Sequence, residues 1–321
     1  MSSDLDLPSL EAIRAARERI AGTVVRTPLI RLGVPDAPAE IYLKLENLQP
    51  IGSFKLRGAT NAMACAPAGR LAHGVLTASA GNMAQGVAWR ARALDIPCTV
   101  VAPDTVPATK VAAIERLGGR VIKVPFAQWW QTLERRSFAG IDAAFVHAFD
   151  DLDVMAGNGT IALEILEDLP DADAIVIPWG GGGLACGIAA ATRALGARCS
   201  LVTAEVATAA PFAASFSARS PQLIEQQPSW VDGIGSQTVF PQMLARALPV
   251  IDAALVASLE EVAAAFRLIA ERNHLIAEGA GACPVACALS GGAGRGKIVC
   301  VVSGGNIDLS KVCALLTGRV H

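Results

Sequence analysis

Ala174-Ile175-Val176-Ile177-Pro178-Trp179-Gly180-Gly181-Gly182-Gly183-Leu184 is the stretch that decides the fold class. A short apolar run ends at Pro178, four glycines follow, and a helical pattern begins at about residue 184. A strand that is apolar on both faces belongs between two covering layers, as in a parallel sheet flanked by helices. The alternation repeats in both directions from this stretch. Residues 41–45, 99–102, 121–124, 200–203 and 297–302 read as strands, and residues 84–94 and 108–117 as helices. A further helix spans 259–272, with a capping box of Ser258 and Glu261 and with Val262, Ala265, Phe266 and Ile269 on one face. The first helix runs over about 10–21, capped by Ser9 and stopped by Gly22. Residues 205–240, with Pro211, Pro221 and Pro228, read as irregular loops over one face. The expected class is α/β.

In such sheets, ligands sit at the carboxyl ends of the strands. Three polar, glycine-rich segments lie just after apolar runs, at 79–86, 180–183 and 303–306. Their convergence is the first sign of a site.

Composition bounds the partners. The chain has 321 residues, of which 52% are hydrophobic, enough for one large domain or two smaller ones sharing a cleft. Apolar runs are broken by Gly, Pro or charge before reaching the roughly 20 residues of a membrane span. The amino terminus, Met1-Ser2-Ser3-Asp4-Leu5-Asp6, is acidic and has no signal-peptide pattern. Net charge is −2, with no basic stripe and a single Tyr, Tyr42, which argues against a nucleic-acid partner. The eight cysteines form no C-x-x-C pair and no zinc spacing. They read as small buried hydrophobes in a reducing cytoplasm.

Three motifs carry chemistry. Gly180-Gly181-Gly182-Gly183-Leu184 offers unobstructed N–H groups at a helix start, a phosphate pocket without the Lys-Ser/Thr of an ATP-binding loop; alone it is equally a flexible turn. Pro50-Ile51-Gly52-Ser53-Phe54-Lys55-Leu56-Arg57-Gly58-Ala59 puts Lys55 in a first helical turn, where the dipole disfavours its charge and favours a nucleophilic amine; taken alone, Lys55 reads more readily as a solvated surface lysine. Ser79-Ala80-Gly81-Asn82-Met83-Ala84-Gln85-Gly86 opens another helix, either as a plain capped start or as a seat for a carboxylate.

Together these motifs resemble the pyridoxal-phosphate-dependent threonine/serine dehydratase and serine racemase family, in its short catabolic-type form, with the tryptophan-synthase β-subunit fold. The resemblance runs along nearly the whole chain. It includes Thr27-Pro28-Leu29, Lys44-Leu45-Glu46-Asn47-Leu48-Gln49, Ala156-Gly157-Asn158-Gly159-Thr160 and Ser303-Gly304-Gly305-Asn306. It implies two domains with the cofactor in the cleft between them: a large domain of 1–72 and 147–321, a small mobile domain of 73–146, and no carboxyl-terminal regulatory domain. By similarity, Lys55 holds the cofactor aldehyde as an imine and moves the substrate α-proton. Phe54 packs on the ring, Asn82 binds the ring hydroxyl, Gly180 to Leu184 bind the phosphate, Glu278 stands near the ring, and Ser303 binds the pyridine nitrogen. Ser79, Ala80, Gly81, Asn82 and Met83 take the substrate carboxylate. The expected activity is dehydration and deamination of a 3-hydroxy amino acid of the threonine, serine, 3-hydroxyaspartate or 3-phenylserine type. An amino acid racemase or β-replacement enzyme of the same fold is the alternative, and a homodimer the expected assembly.

Four departures from the family pattern bear on this expectation. Ala80 replaces the serine with which racemases of the family reprotonate the opposite face, favouring a lyase. Met83 replaces a common histidine, either as a harmless apolar swap or as a change that makes the pocket less polar and admits a bulkier or more apolar β-substituent. Asn158 replaces a glutamine, and the sequence assigns it no consequence. Glu205 matches one ligand of a divalent-cation site, but Val206-Ala207-Thr208-Ala209-Ala210-Pro211 brings no Asp, which argues against a metal.

Overall fold

A computed structural model describes residues 6–319; residues 1–5, most of the acidic amino terminus, and the last two residues lie outside them. Among the described residues ten strands form two sheets: β1 (Leu29–Arg31), β2 (Glu40–Lys44), β3 (Val75–Ala78), β4 (Cys98–Pro103), β5 (Arg120–Val124), β6 (Ala144–Phe145), β7 (Ala174–Pro178), β8 (Ser200–Val206), β9 (Ala253–Ala257) and β10 (Lys297–Val301). The six-stranded sheet has the order β1-β2-β10-β7-β8-β9 and is parallel except for β1. The four-stranded sheet, β5-β4-β3-β6, is parallel throughout.

The doubly apolar strands form the middle of the larger sheet, as their sequences require. Register aligns Tyr42, Val299, Ile175 and Leu201 in one row. Ile175, Ile177, Val299 and Val301 pack into one core layer, while Val176, Val202 and Cys300 pack with Phe266 in the other. Burial on both faces removes about 25 cal/mol of hydration cost per Å² of apolar surface, which is why no alternation is seen.

Most helix boundaries agree with the sequence reading within a residue or two. Ser9 caps Leu10–Ile20 through Ala12 N, and the Ser258–Glu261 capping box opens Leu259–Asn273. Residues 205–240 depart from the expected loops. β8 extends to Val206 by pairing with β9, and a helix runs over Pro211–Ala218. Pro211 is at its first position, where a missing N–H costs nothing, so the proline starts the helix instead of breaking a pattern. The sequence reading places no helix over Leu152–Asp168 or Gly279–Leu289, whose glycines and Pro284 lower helix propensity, yet both are helical. In the first, the glycines permit close packing: a Cβ on Gly159 would stand 2.7 Å from the carbonyl oxygen of Gly187 in the helix Gly183–Ala194.

The three glycine-rich segments follow β3, β7 and β10 at their carboxyl ends, as expected. Among the described residues no helix is long and apolar enough to cross a membrane. All eight cysteines are free; six are buried, Cys65 is half-buried and Cys313 is exposed, so the buried reading fails at those two positions.

Candidate cofactor and substrate site

Lys55 is the first residue of the helix Lys55–Cys65. A bridge between Ser53 and Gly304, with Phe54 N–H donating to Ser303 O at 3.0 Å, ties that helix start to the end of β10. Behind it lies a buried charge network. Arg57 Nε donates to Glu46 Oε2 at 2.8 Å and Arg57 Nη1 to Glu164 Oε1 at 2.7 Å, while Lys44 Nζ meets Glu164 Oε2 at 2.5 Å. Thr27 Oγ1 donates to Glu46 Oε1 at 2.6 Å. The Thr27, Lys44–Glu46 and Arg57 motifs therefore act as one unit, in which two buried cations matched to two buried carboxylates fix the base of the helix that presents Lys55.

The Lys55 ammonium donates to Ala148 O at 2.7 Å. Its pKa is pushed down to about 8, chiefly by burial, with the Glu278 carboxylate pulling the other way. Burial is thus the leading cause of the lowered pKa.

The glycine loop is crowded. A Cβ on Gly181 would overlap the Phe149 ring, and one on Gly183 would lie 2.6 Å from Phe149 O. Gly182 has φ +90°, a conformation other residues rarely adopt. Among the described residues the N–H groups of Gly180, Gly181 and Gly182 have no backbone acceptor, and those of Gly183 and Leu184 are in the first helical turn, which has no intrahelical partner. Asn158 Nδ2 donates to Gly183 O at 3.3 Å, so this substitution holds the loop from below.

Across the cleft, Asn82 opens the helix Asn82–Ala93. Its Nδ2 donates to Glu278 Oε1 at 2.8 Å, and its Oδ1 accepts from Asn306 Nδ2 at 2.8 Å. Burial, then the nearby Asp232, pushes Glu278 up to about 8. Ser79, Ala80, Gly81, Asn82 and Met83 line one cavity of about 330 Å³ together with Phe54, Lys55, the glycine loop, Glu278 and Ser303. Every site residue singled out from sequence therefore lines this cavity except Glu205.

Glu205 lies elsewhere. Its carboxylate accepts Phe212 N–H at 3.0 Å and Ala213 N–H at 2.7 Å, capping the helix Pro211–Ala218, and burial raises its pKa to about 7 despite those bonds. Reading Pro211 as a breaker hides this helix-capping role from the sequence.

Sequence reasoning also misses the loop after β6. His147 Nδ1 accepts the N–H groups of Phe149 at 3.2 Å and Asp150 at 2.8 Å. Burial, aided by Arg136, lowers its pKa to about 3, so it is a neutral brace that shapes the loop. That loop supplies both Ala148 O and the Phe149 ring. Its signal is a polar segment following the apolar run Ala143-Ala144-Phe145-Val146. Trp129, Lys110, Asp232, Gly233 and Ile234 also line the cavity and stand out in no motif.

Comparison with known proteins agrees with this geometry. The profile of the family described as pyridoxal-phosphate dependent enzyme matches residues 20–304. The chain belongs to the pyridoxal-phosphate dependent enzymes. It is 40% identical over 294 residues to the L-threonine ammonia-lyase of Geobacter sulfurreducens, covering 87% of this chain and 70% of that one. It is 36% identical over 287 residues to the L-threonine ammonia-lyase of Thermotoga maritima, covering 88% and 71%. Among solved structures it is similar to a T.th. threonine deaminase, with a TM-score of 0.86 and 32% identity over 94% of this chain and 99% of that one. Maize serine racemase gives a TM-score of 0.87 at 29% identity, covering 98% of both. The fold is thus the expected α/β architecture of this enzyme class.

The residues fit pyridoxal phosphate. The Cβ-free loop at a helix start suits its phosphate, the low-pKa Lys55 suits its aldehyde, and the second Nδ2 hydrogen of Asn82 is left over for a ring oxygen.

Proposed function

We propose that this enzyme is a lyase that dehydrates and deaminates a 3-hydroxy L-amino acid to a 2-keto acid and ammonia. The observation that carries the reading is that one cavity gathers a lysine of lowered pKa, a phosphate-type glycine cradle and the Ser79–Met83 loop, with only the methyl of Ala80 where a racemase would need a second proton donor.

Lys55 would hold the cofactor, Gly180 to Leu184 its phosphate, and Ser303 its ring nitrogen, with Phe54 against the ring and Asn82 and Glu278 at its edge. Bound there, the cofactor supplies an electron sink that makes the substrate α-proton removable. The chain does the rest. The N–H groups of the Ser79–Met83 loop orient the substrate carboxylate. The Lys55 amine, its pKa lowered to about 8 and steadied by Ala148 O, takes the α-proton. Ser303, a neutral hydroxyl, would hold the ring nitrogen without giving it a proton. The sheet of β3–β6, within a small domain of 73–146, closes over the substrate. The enzyme works as a cytoplasmic homodimer on a small amino acid.

Incubating the purified enzyme with threonine, serine, 3-hydroxyaspartate and 3-phenylserine should release ammonia and a 2-keto acid. The protein should be yellow, and Lys55→Ala colourless and inactive. Recovery of the amino acid with inverted chirality and no keto acid would replace the lyase by a racemase.

A further inference from the structure

Beside the cofactor cavity lies a second cavity, an annexe of about 200 Å³ that shares part of its wall. Its walls include Trp129, Trp130, Phe149, Ile234, Val239 and Phe240, and three of these, Trp129, Phe149 and Ile234, also line the main cavity. The rings meet edge to face or tilted: Phe149 and Phe240 at 5.1 Å and 80°, Trp130 and Phe240 at 5.1 Å and 44°. Among the described residues no Lys or Arg lines the annexe. Asp232, at the junction, is already paired with Lys110 at 3.0 Å.

This chemistry selects among β-substituents. A hydrogen or methyl leaves the aromatic wall uncovered. A carboxylate would enter without a free cation and lose its hydration. An aromatic ring matches in size, since a cavity of about 150 Å³ holds a benzene ring. It also matches in geometry, since offset and edge-to-face packing is what aromatic side chains prefer. Trp129 is placed to sense it. It is shared by cavity and annexe, and its buried indole N–H has no acceptor among the described residues, whereas that of Trp130 is taken by Glu134. Met83, at the foot of the Ser79 loop, joins the apolar core and adds no competing polar group.

We propose that the preferred substrate is a 3-hydroxy amino acid with an aromatic ring on Cβ, seated in this annexe, and that Trp129 is the residue that sets this preference. The proposal rests on the lyase reading above. The chemistry needs no further reactant: the Cα–H and Cβ–OH bonds break with loss of water, the enamine takes a proton at Cβ to become an imine, and water hydrolyses the imine to a 3-aryl-2-keto acid and ammonia.

The test is kcat/KM of the holoenzyme for L-threo-3-phenylserine, L-threonine, L-serine and 3-hydroxyaspartate, read by ammonia and keto acid. Phenylserine should exceed threonine by about tenfold or more, the scale on which apolar pockets discriminate. Trp129→Ala should cut the phenylserine-to-threonine ratio about tenfold, and Trp129→Phe should keep most of it, with the cofactor absorbance band showing that each variant is folded and loaded. L-Phenylalanine should inhibit competitively at lower concentration than L-alanine. Ammonia from threonine or serine without an aromatic preference, or a ratio unmoved in Trp129→Ala, overturns this inference alone. Ammonia from none of the four overturns the lyase reading and this inference with it.

Discussion

Lys55 should react with pyridoxal phosphate like a weak base. Its pKa is pushed from 10.5 to about 8, chiefly by burial. At pH 7 about one amine in ten is then neutral, against roughly three in ten thousand for an ordinary lysine, an advantage of about 300-fold. At pH 10 both are largely or partly neutral, and the advantage shrinks to about fourfold. The assay strips the cofactor, adds pyridoxal phosphate, and follows imine absorbance from pH 6 to 10. Nα-acetyl-lysine amide, measured in parallel, cancels the titration of the cofactor itself. The ratio of protein rate to reference rate should fall by nearly two orders of magnitude between pH 7 and pH 10, and the protein rate should level off near pH 8. Glu278 favours the charged ammonium, so Glu278→Gln should move that levelling point downward. A ratio independent of pH would mean that Lys55 has ordinary basicity, and would refute the claim that burial tunes it.

Two further outcomes test the scaffold. Gly181→Ala puts a methyl group onto the Phe149 ring and should raise the cofactor Kd at least about tenfold by spectroscopic titration, with Phe149→Ala in the same chain restoring much of it; an unchanged Kd in the single variant would contradict the crowded-loop argument. Glu164→Gln removes the one carboxylate charge that Lys44 and Arg57 share and should cost about 3–5 kcal/mol in urea denaturation; a loss under about 1 kcal/mol would show the network to be dispensable.

The legible parts of this molecule are those governed by local rules. The doubly apolar 174–178 run could only be a covered strand, and the Ser258–Glu261 box could only open a helix. The less legible parts are those where context reverses a local preference. Gly157 and Gly159 weaken a helix in isolation, yet Leu152–Asp168 forms because those positions let neighbouring backbones approach. Glu205 resembles a metal ligand by position, but its carboxylate caps a helix whose sequence reads as a loop. Arg57 looks like an ordinary neighbour of Lys55 and proves to be one of the most buried side chains, held by two carboxylates, one of them distant in sequence.

The sequence by itself determined the alternating α/β order and the three glycine-rich segments at strand ends, and it singled out Lys55 through a family resemblance, because strand burial, turn chemistry and motif spacing are written in neighbouring residues. Only the tertiary structure decided what surrounds that lysine: the Ala148 carbonyl that accepts its hydrogen bond, the Phe149 ring over the glycines, and the aromatic annexe beside them. Those contacts join distant residues: Lys55 and Ala148 are 93 positions apart, Asn82 and Glu278 are 196 apart, and Trp130 meets Phe240 across one wall. No local propensity records them, because they exist only once two sheets have closed on a shared cleft.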